Sequence, residues 1–195
     1  MMYMGTWNIM TTLKMGRMNE IADEMSKIQL QIIAVQELRW KEVGKINKTK
    51  YKLYYTCNQE KAGILGIGFM IWNEIKKNVL SFKPYNERLC KLRLKGNFNN
   101  LSIISVHAPT EEKSDEEKEK FYEDLQIVHN KIPKHDTVII LGDLNAKDRK
   151  EEVYQNVVGK HRFHETSNRK GEWVCEHAIA NNRTVISIYY QQKNP

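Results

Sequence analysis

Cysteine is scarce in this 195-residue chain, with three thiols at Cys57, Cys90 and Cys175. An odd number, so widely spread, excludes a disulfide framework and fits a reducing compartment. Proline occurs four times and glycine ten, which excludes collagen-like and linker-like compositions. No apolar run approaches the roughly 18–20 residues that a membrane-spanning helix needs. The opening residues, MMYMGTWNIM, lack a basic segment followed by an apolar block, so no secretory leader is expected. Internal repeats and low-complexity linkers are also lacking.

What is present is ordinary for a globular protein: 41% hydrophobic and 28% charged residues. The length predicts one domain over residues 1–195, burying about 70% of its unfolded surface. Lys plus Arg is 31 against 24 Asp plus Glu, a formal charge of +7. Such an excess points to a polyanionic partner without naming it.

Residue patterning predicts mixed secondary structure. Tyr3–Ile9 alternates and carries aromatics, as a strand does. Gly16–Ile28 places Met18, Ile21, Met25 and Ile28 at helical spacing. Gln31–Gln36 is a short β-branched run, the mark of a strand buried on both faces. Lysine-rich 41–52 is expected to be a solvated loop. Strands are predicted over Tyr51–Thr56, Ile67–Trp72, Val79–Lys83, Arg88–Leu94, Leu101–Val106 and Thr137–Leu141, with a turn at Asn97–Asn100 making a hairpin. Ser114–Asn130 is a predicted helix, with Ser114 and Glu117 in capping-box form. Helices are also predicted over Glu152–Val158 and Gly171–Ala180, and a strand over Val185–Tyr190. Strand, helix, strand at the start and mixed elements throughout predict an α/β (α+β) class with two sheets.

Several predicted strands end in a carboxylate or carboxamide: Trp7-Asn8, Gln36-Glu37 and Gly142-Asp143-Leu144-Asn145. A fourth, Val106-His107, ends in an imidazole that could meet a phosphate or serve structure alone. Rigid strands fix geometry and the following loops admit substrate, so such ends are where sites gather. Hard oxygen ligands of this kind suit Mg²⁺. Asp and Asn also favour the turns that follow strands for local reasons. His161, His164, Cys175 and His177 are zinc-ligand residue types, but their spacing matches no finger pattern.

In this order along the chain, Thr6-Trp7-Asn8, Val35-Gln36-Glu37, His107-Ala108-Pro109 and Gly142-Asp143-Leu144-Asn145 resemble the endonuclease/exonuclease/phosphatase superfamily. Glu37-Leu38-Arg39-Trp40, Gly66-Ile67-Gly68-Phe69, Glu87-Arg88-Leu89-Cys90, Leu141–Lys147 and Gly159–Glu165 are similar to the endonuclease domain of RTE-type non-LTR retrotransposons. They are also similar to its host relatives, the craniofacial development protein 2-like proteins. The likeness runs over essentially the whole chain.

The resemblance implies a four-layer sandwich of two mixed β-sheets flanked by helices. It implies that Glu37 binds the metal, that Asn8 organises the metal with its water or the phosphate, and that Asp143 orients or deprotonates the attacking water. Asn145 matches the residue holding a phosphate oxygen. His107 stands where many members carry a tyrosine near the scissile phosphate and where the retrotransposon relatives often carry histidine. Lys45 and Arg162, in basic clusters, are candidate contacts to the DNA backbone, although such clusters also serve as solvated loops. The cofactor implied is Mg²⁺, with Mn²⁺ as the alternative ion. The partner implied is DNA, with neither a membrane nor an obligate protein partner, and the place of action is intracellular and nuclear.

Family domains continue to a last strand ending in an aspartate–histidine pair. No Asp follows Asp148 here, so a domain truncated before that strand, with impaired activity, is expected. The reaction expected is Mg²⁺-dependent nicking of DNA. The alternatives are an inactive remnant or domesticated domain that binds nucleic acid or protein, and a phosphatase on the same fold.

Overall fold

Alternating apolar residues around a run of β-branched ones build the first unit of the chain. The predicted opening forms as β1 (Met4–Asn8), α1 (Arg17–Lys27) and β2 (Ile32–Gln36), with β1 and β2 parallel. A parallel pair needs a crossover, and α1 lies in it. Ile21, Ala22 and Met25 are the buried stripe of α1, and every residue of β2 is buried. The computed structural model describes residues 2–9, 16–58, 64–145 and 169–185.

Further along come β3 (Val43–Asn47), β4 (Tyr51–Thr56), β5 (Ile67–Trp72), β6 (Val79–Asn86), β7 (Leu89–Leu94) and β8 (Leu101–His107). After them follow α2 (Asp115–Asn130), β9 (Thr137–Asp143) and α3 (Arg169–Ala180). One sheet has the order β1-β2-β5-β4-β3 and the other β6-β7-β8-β9. Each sheet is mixed, with one parallel pair (β1 with β2, β8 with β9) and antiparallel neighbours elsewhere. The predicted α/β class with two mixed sheets and helices is therefore present.

Two apolar clusters hold the sheets. Between them, Ile32, Ala34, Ile67, Phe69 and Ile71 of the first sheet meet Cys90, Leu92, Leu94 and Ile103 of the second. On the other face of the first sheet, Ile33, Val35, Leu53 and Met70 meet Ile21, Ala22 and Met25 of α1. Alternate residues of one strand thus serve two cores. All three cysteines are buried, and none forms a disulfide among the described residues.

The described residues fall into two compact units, 2–108 with 127–143, and 109–126 with 144, 145 and 169–185. Both sheets belong to the first. In the second, the Tyr122 and Trp173 rings lie 5.3 Å apart, and Gln126 and Asn181 exchange two carboxamide hydrogen bonds of 3.1 and 2.8 Å. Ser114 Oγ accepts from the Glu117 amide at 3.3 Å, which is the predicted cap of α2.

One expectation is corrected. The lysine-rich 41–52 stretch is not all loop, because β3 pairs antiparallel with β4 from Val43↔Thr56 to Asn47↔Lys52. Exposed and half-buried residues alternate along it, a period-2 signal that the lysines hide. The helix predicted over 152–158 and most of the strand predicted over 185–190 lie outside the described residues.

Gly142 carries φ +147°, and a Cβ there would run into the Val106 carbonyl oxygen of the neighbouring strand. Gly142→Ala must spread the β8–β9 pair. It is expected to lower the unfolding free energy by about 2–4 kcal/mol, from overpacking and backbone strain together. A chemical-denaturation midpoint equal to that of the wild type would contradict this close approach.

Candidate active site

The side chains facing the inter-sheet core form rows that begin apolar and end polar. On the first sheet the rows are Met4-Thr6-Asn8 and Ile32-Ala34-Gln36, paired so that Asn8 stands opposite Gln36. On the second they are Leu101-Ile103-Ser105-His107 and Ile139-Leu141-Asp143, with His107 opposite Asp143. β9 lies against β1 and β2, so the polar ends meet at one end of the sandwich.

Glu37 directly follows the last residue of β2 and turns into this ring. Its backbone is left-handed (φ 60°), as is that of Arg39 (φ 57°), conformations that non-glycine residues hold only where the surroundings insist. Leu38 between them is fully buried and anchors the turn in the α1 core. The Leu38 amide donates to the Gly66 carbonyl at 3.0 Å and the Arg39 amide to the Leu65 carbonyl at 2.9 Å. Gly66 has φ +120°, and a Cβ on it would come within 2.5 Å of Cys57 Sγ.

Both oxygens of the Glu37 carboxylate are engaged. Oε1 accepts from Asn8 Nδ2 at 2.9 Å and Oε2 from the Arg39 guanidinium at 2.7 Å. Partial burial alone would push the carboxyl up. The hydrogen bonds from Asn8 and Arg39, with the positive charge of Arg39 and the nearby His107, outweigh it and hold Glu37 below the ordinary value. His107 is 5% exposed. Burial first, then the Arg88 charge, hold its imidazole below the usual range, against the opposing pull of Asp143 and Glu37. It is therefore neutral near pH 7. The backbone of His107 is fixed by Arg88, whose carbonyl takes its amide at 3.0 Å and whose guanidinium donates to its carbonyl at 3.1 Å. The Ala108 amide donates to the Asp143 carbonyl at 2.8 Å.

Two polar atoms in this region are buried without a partner among the described residues: Gln36 Nε2 and His107 Nδ1. Gln36 Oε1 is already taken by the Thr6 hydroxyl at 3.1 Å. Orphaned nitrogens beside engaged carboxylates suit an incoming water or oxyanion. Among the described residues, no three His, Cys, Asp or Glu side chains gather closely enough to enclose a metal unaided. A hard divalent cation that keeps waters and shares substrate oxygens needs only one or two carboxylates. Glu37 and Asp143 beside the Asn8 carboxamide fit that demand.

Of the residues marked in the sequence, Asn8, Glu37, His107 and Asp143 come together. Asn145 lies in the second unit, half-buried, with a left-handed backbone of φ 49°. Lys45 is exposed on β3, three strands from β2, about 14 Å away across the sheet. Arg162 lies outside the described residues, as do His161 and His164. The sequence assigns no separate role to Arg39, Arg88 or Gln36. The sign for Arg39 was its place two residues after a candidate ligand.

Two mixed sheets packed as a sandwich, with a polar ring at the strand ends, place the chain among the α/β sandwich proteins. The profile of the Endonuclease/Exonuclease/phosphatase family matches residues 5–168. The chain belongs to that family. Craniofacial development protein 2 of Bos taurus is 29% identical over 188 residues, which are 96% of this chain and 31% of that protein. The chain thus spans under a third of that curated relative. Among solved structures, the AP endonuclease LMAP from Leishmania major superposes with a TM-score of 0.65 at 13% identity, over 92% of this chain and 67% of that one. The endonuclease domain of TRAS1, a telomere-specific non-LTR retrotransposon, gives 0.57 at 14%, over 92% and 70%. These likenesses show the fold.

Two outcomes test the electrostatics. Arg39→Gln removes a charge and a donor, so the Glu37 pKa is expected to rise, read by ¹³C carboxyl NMR titration; an unmoved titration would refute the pairing. For His107 the folded-state pKa lies below the unfolded 6.5, so the unfolded chain binds the proton first as pH falls. Stability is then lost as pH drops from about 7 through 6.5 toward the folded value. Glu37, lowered from 4.5, contributes stability that is lost only below about that pH. Denaturation midpoints between pH 7 and 5 are expected to fall in the wild type and to flatten in His107→Gln.

Proposed function

We propose that this chain is a retrotransposon-derived endonuclease domain that hydrolyses DNA phosphodiester bonds with Mg²⁺ and nicks one strand. The observation that carries this reading is the meeting of Asn8, Glu37, His107 and Asp143 at one end of the sandwich. In support stand the family, the endonucleases among the similar structures, and the basic balance of the chain.

A phosphodiester is anionic and repels an incoming hydroxide. When bound at Glu37, Mg²⁺ supplies a positive charge that neutralises the phosphate and stabilises the leaving oxygen. Glu37, kept ionised by Asn8 and Arg39, presents a ligand at neutral pH without a proton to lose. Asn8 holds that carboxylate and orients water or phosphate without adding negative charge. Asp143 takes the proton of the attacking water. Neutral His107 faces the scissile phosphate and offers a hydrogen bond without adding a second positive charge beside the metal. Asn145 holds a phosphate oxygen. Lys45 and Arg162 follow the backbone of a longer duplex, which makes binding salt-dependent.

A supercoiled-plasmid assay tests this. Nicking with Mg²⁺ is expected, with none in EDTA. Asp143→Asn is expected to slow it by about 10²–10⁴-fold through loss of the base, while duplex affinity stays within a few-fold. Tight duplex binding with no nicking at any Mg²⁺ or Mn²⁺ concentration would replace the enzyme by a nucleic-acid-binding domain. Hydrolysis of a small phosphate monoester in place of plasmid would replace it by a phosphatase.

A further inference from the structure

The outer face of the second sheet carries a charged cluster that the candidate active site does not use. Cys90, Leu92 and Leu94 of β7 face the inter-sheet core, so Lys91 and Arg93 face the other way. Lys83 of β6 stands across from Lys91, and Tyr85, two residues on, shares its side. Lys83 Nζ lies 5.3 Å from the centre of the Tyr85 ring, and Lys131 Nζ, just past α2, lies 5.8 Å from it. Two ammonium groups therefore gather about one phenol, beside the third on Lys91.

The nearby carboxylate is already committed. Asp136, its side chain fully buried, takes the Arg93 guanidinium in a fork of 2.7 and 2.9 Å. Its Oδ2 also accepts from Ser102 Oγ at 2.8 Å. That fork neutralises Arg93 and leaves the three lysines without a carboxylate of their own among the described residues. Lys91 is only 8% exposed. Burial first, then the neighbouring Lys83 and Arg93, push its ammonium below the usual lysine range. The Tyr85 hydroxyl is buried with no hydrogen-bond partner among the described residues. Lys83 and Lys131 are exposed.

The result is a cluster, a cup only in outline, in which the largely buried Lys91 and the Tyr85 phenol are flanked by the two exposed lysines, Lys83 and Lys131. All four groups can donate, three carry positive charge, and the acceptor is what the cup lacks. A lysine whose stem is largely buried and which faces two further cations gains from a bound anion. A carboxylate offers one charge and two oxygens; a phosphomonoester offers about two charges and three free oxygens, and a nucleic-acid backbone repeats a single charge and two free oxygens at every phosphate, so either brings more negative charge to three lysines than one carboxylate does. We propose that Lys83, Lys91, Lys131 and Tyr85 form an anion site for a phosphoryl group, on the face of the second sheet opposite His107 and Asp143. The site stands whether or not the chain is a nuclease. Its phosphoryl group comes either from a free phosphate ester or from a nucleic-acid backbone.

Thermal melting at constant ionic strength tests the site, with inorganic phosphate replacing chloride and EDTA present to keep metal–phosphate chemistry out. The wild-type midpoint is expected to rise by roughly 3–6 °C at ten times the phosphate Kd. The double variant Lys83→Gln/Lys131→Gln, changed only at exposed positions, is expected to keep its chloride midpoint and lose most of that rise. Lys91→Met is expected to melt higher than wild type in chloride and to show no phosphate rise. If Lys91→Met fails to fold, the rim variant carries the test. An equal rise in all proteins, or none in the wild type, overturns the site. To distinguish the sources, a nucleoside monophosphate that reproduces the rise assigns a free ester. A duplex lacking terminal phosphates, whose salt-dependence slope drops by about 1–2 in the rim variant, assigns the backbone.

Discussion

The doubly bonded carboxylate of Glu37 is the interaction on which the rest of the site depends. A half-buried carboxylate next to a neutral imidazole would tend to take up a proton. Asn8 and the Arg39 guanidinium prevent this by occupying one oxygen each. The turn that brings Arg39 back onto Glu37 contains two left-handed residues, costing roughly 1–3 kcal/mol each. Leu38 in the core and the two backbone bonds to Leu65 and Gly66 hold it in place. Strain, anchor and charge are therefore one device: loosening any part frees the carboxylate.

The same plan appears twice in the chain. β1 and β2 are parallel with α1 between them in sequence, and β8 and β9 are parallel with α2 between them. Each pair delivers two polar side chains at its C-terminal end. The first pair contributes carboxamides and then Glu37, and the second contributes His107 and Asp143. Parallel pairing places both C-terminal ends of a pair side by side. A rigid frame thus fixes four polar groups without a long loop.

Much of this was legible in the residues. The QIIAVQ run, the stripe of α1 and the Ser114 cap each obey a local rule, and each formed close to its predicted bounds. Asn8, Glu37, His107 and Asp143 were legible because each breaks an apolar run at a strand end. Arg39 and Arg88 were not, since a basic residue beside a strand looks like any solvated side chain until its partner is placed. β3 was hidden for a similar reason: its pattern of exposure is strand-like, but its composition is that of a loop. The Lys83–Lys91–Lys131 cup has no signature at all in sequence, being made by cross-strand register and by the end of a distant helix.

β3 has a consequence for the behaviour of the protein in a crowded solution. Among the described residues it is the outermost strand of the five-stranded sheet, and an outermost strand offers open amides and carbonyls to any passing chain. Lys45 lies exposed within it, and Lys41, Lys48 and Lys50 flank it, also exposed. A second copy docking there would bring two rows of ammonium groups face to face. The lysines that disguise this strand therefore act as gatekeepers against fibrous stacking, keeping the sheet from growing beyond its own molecule.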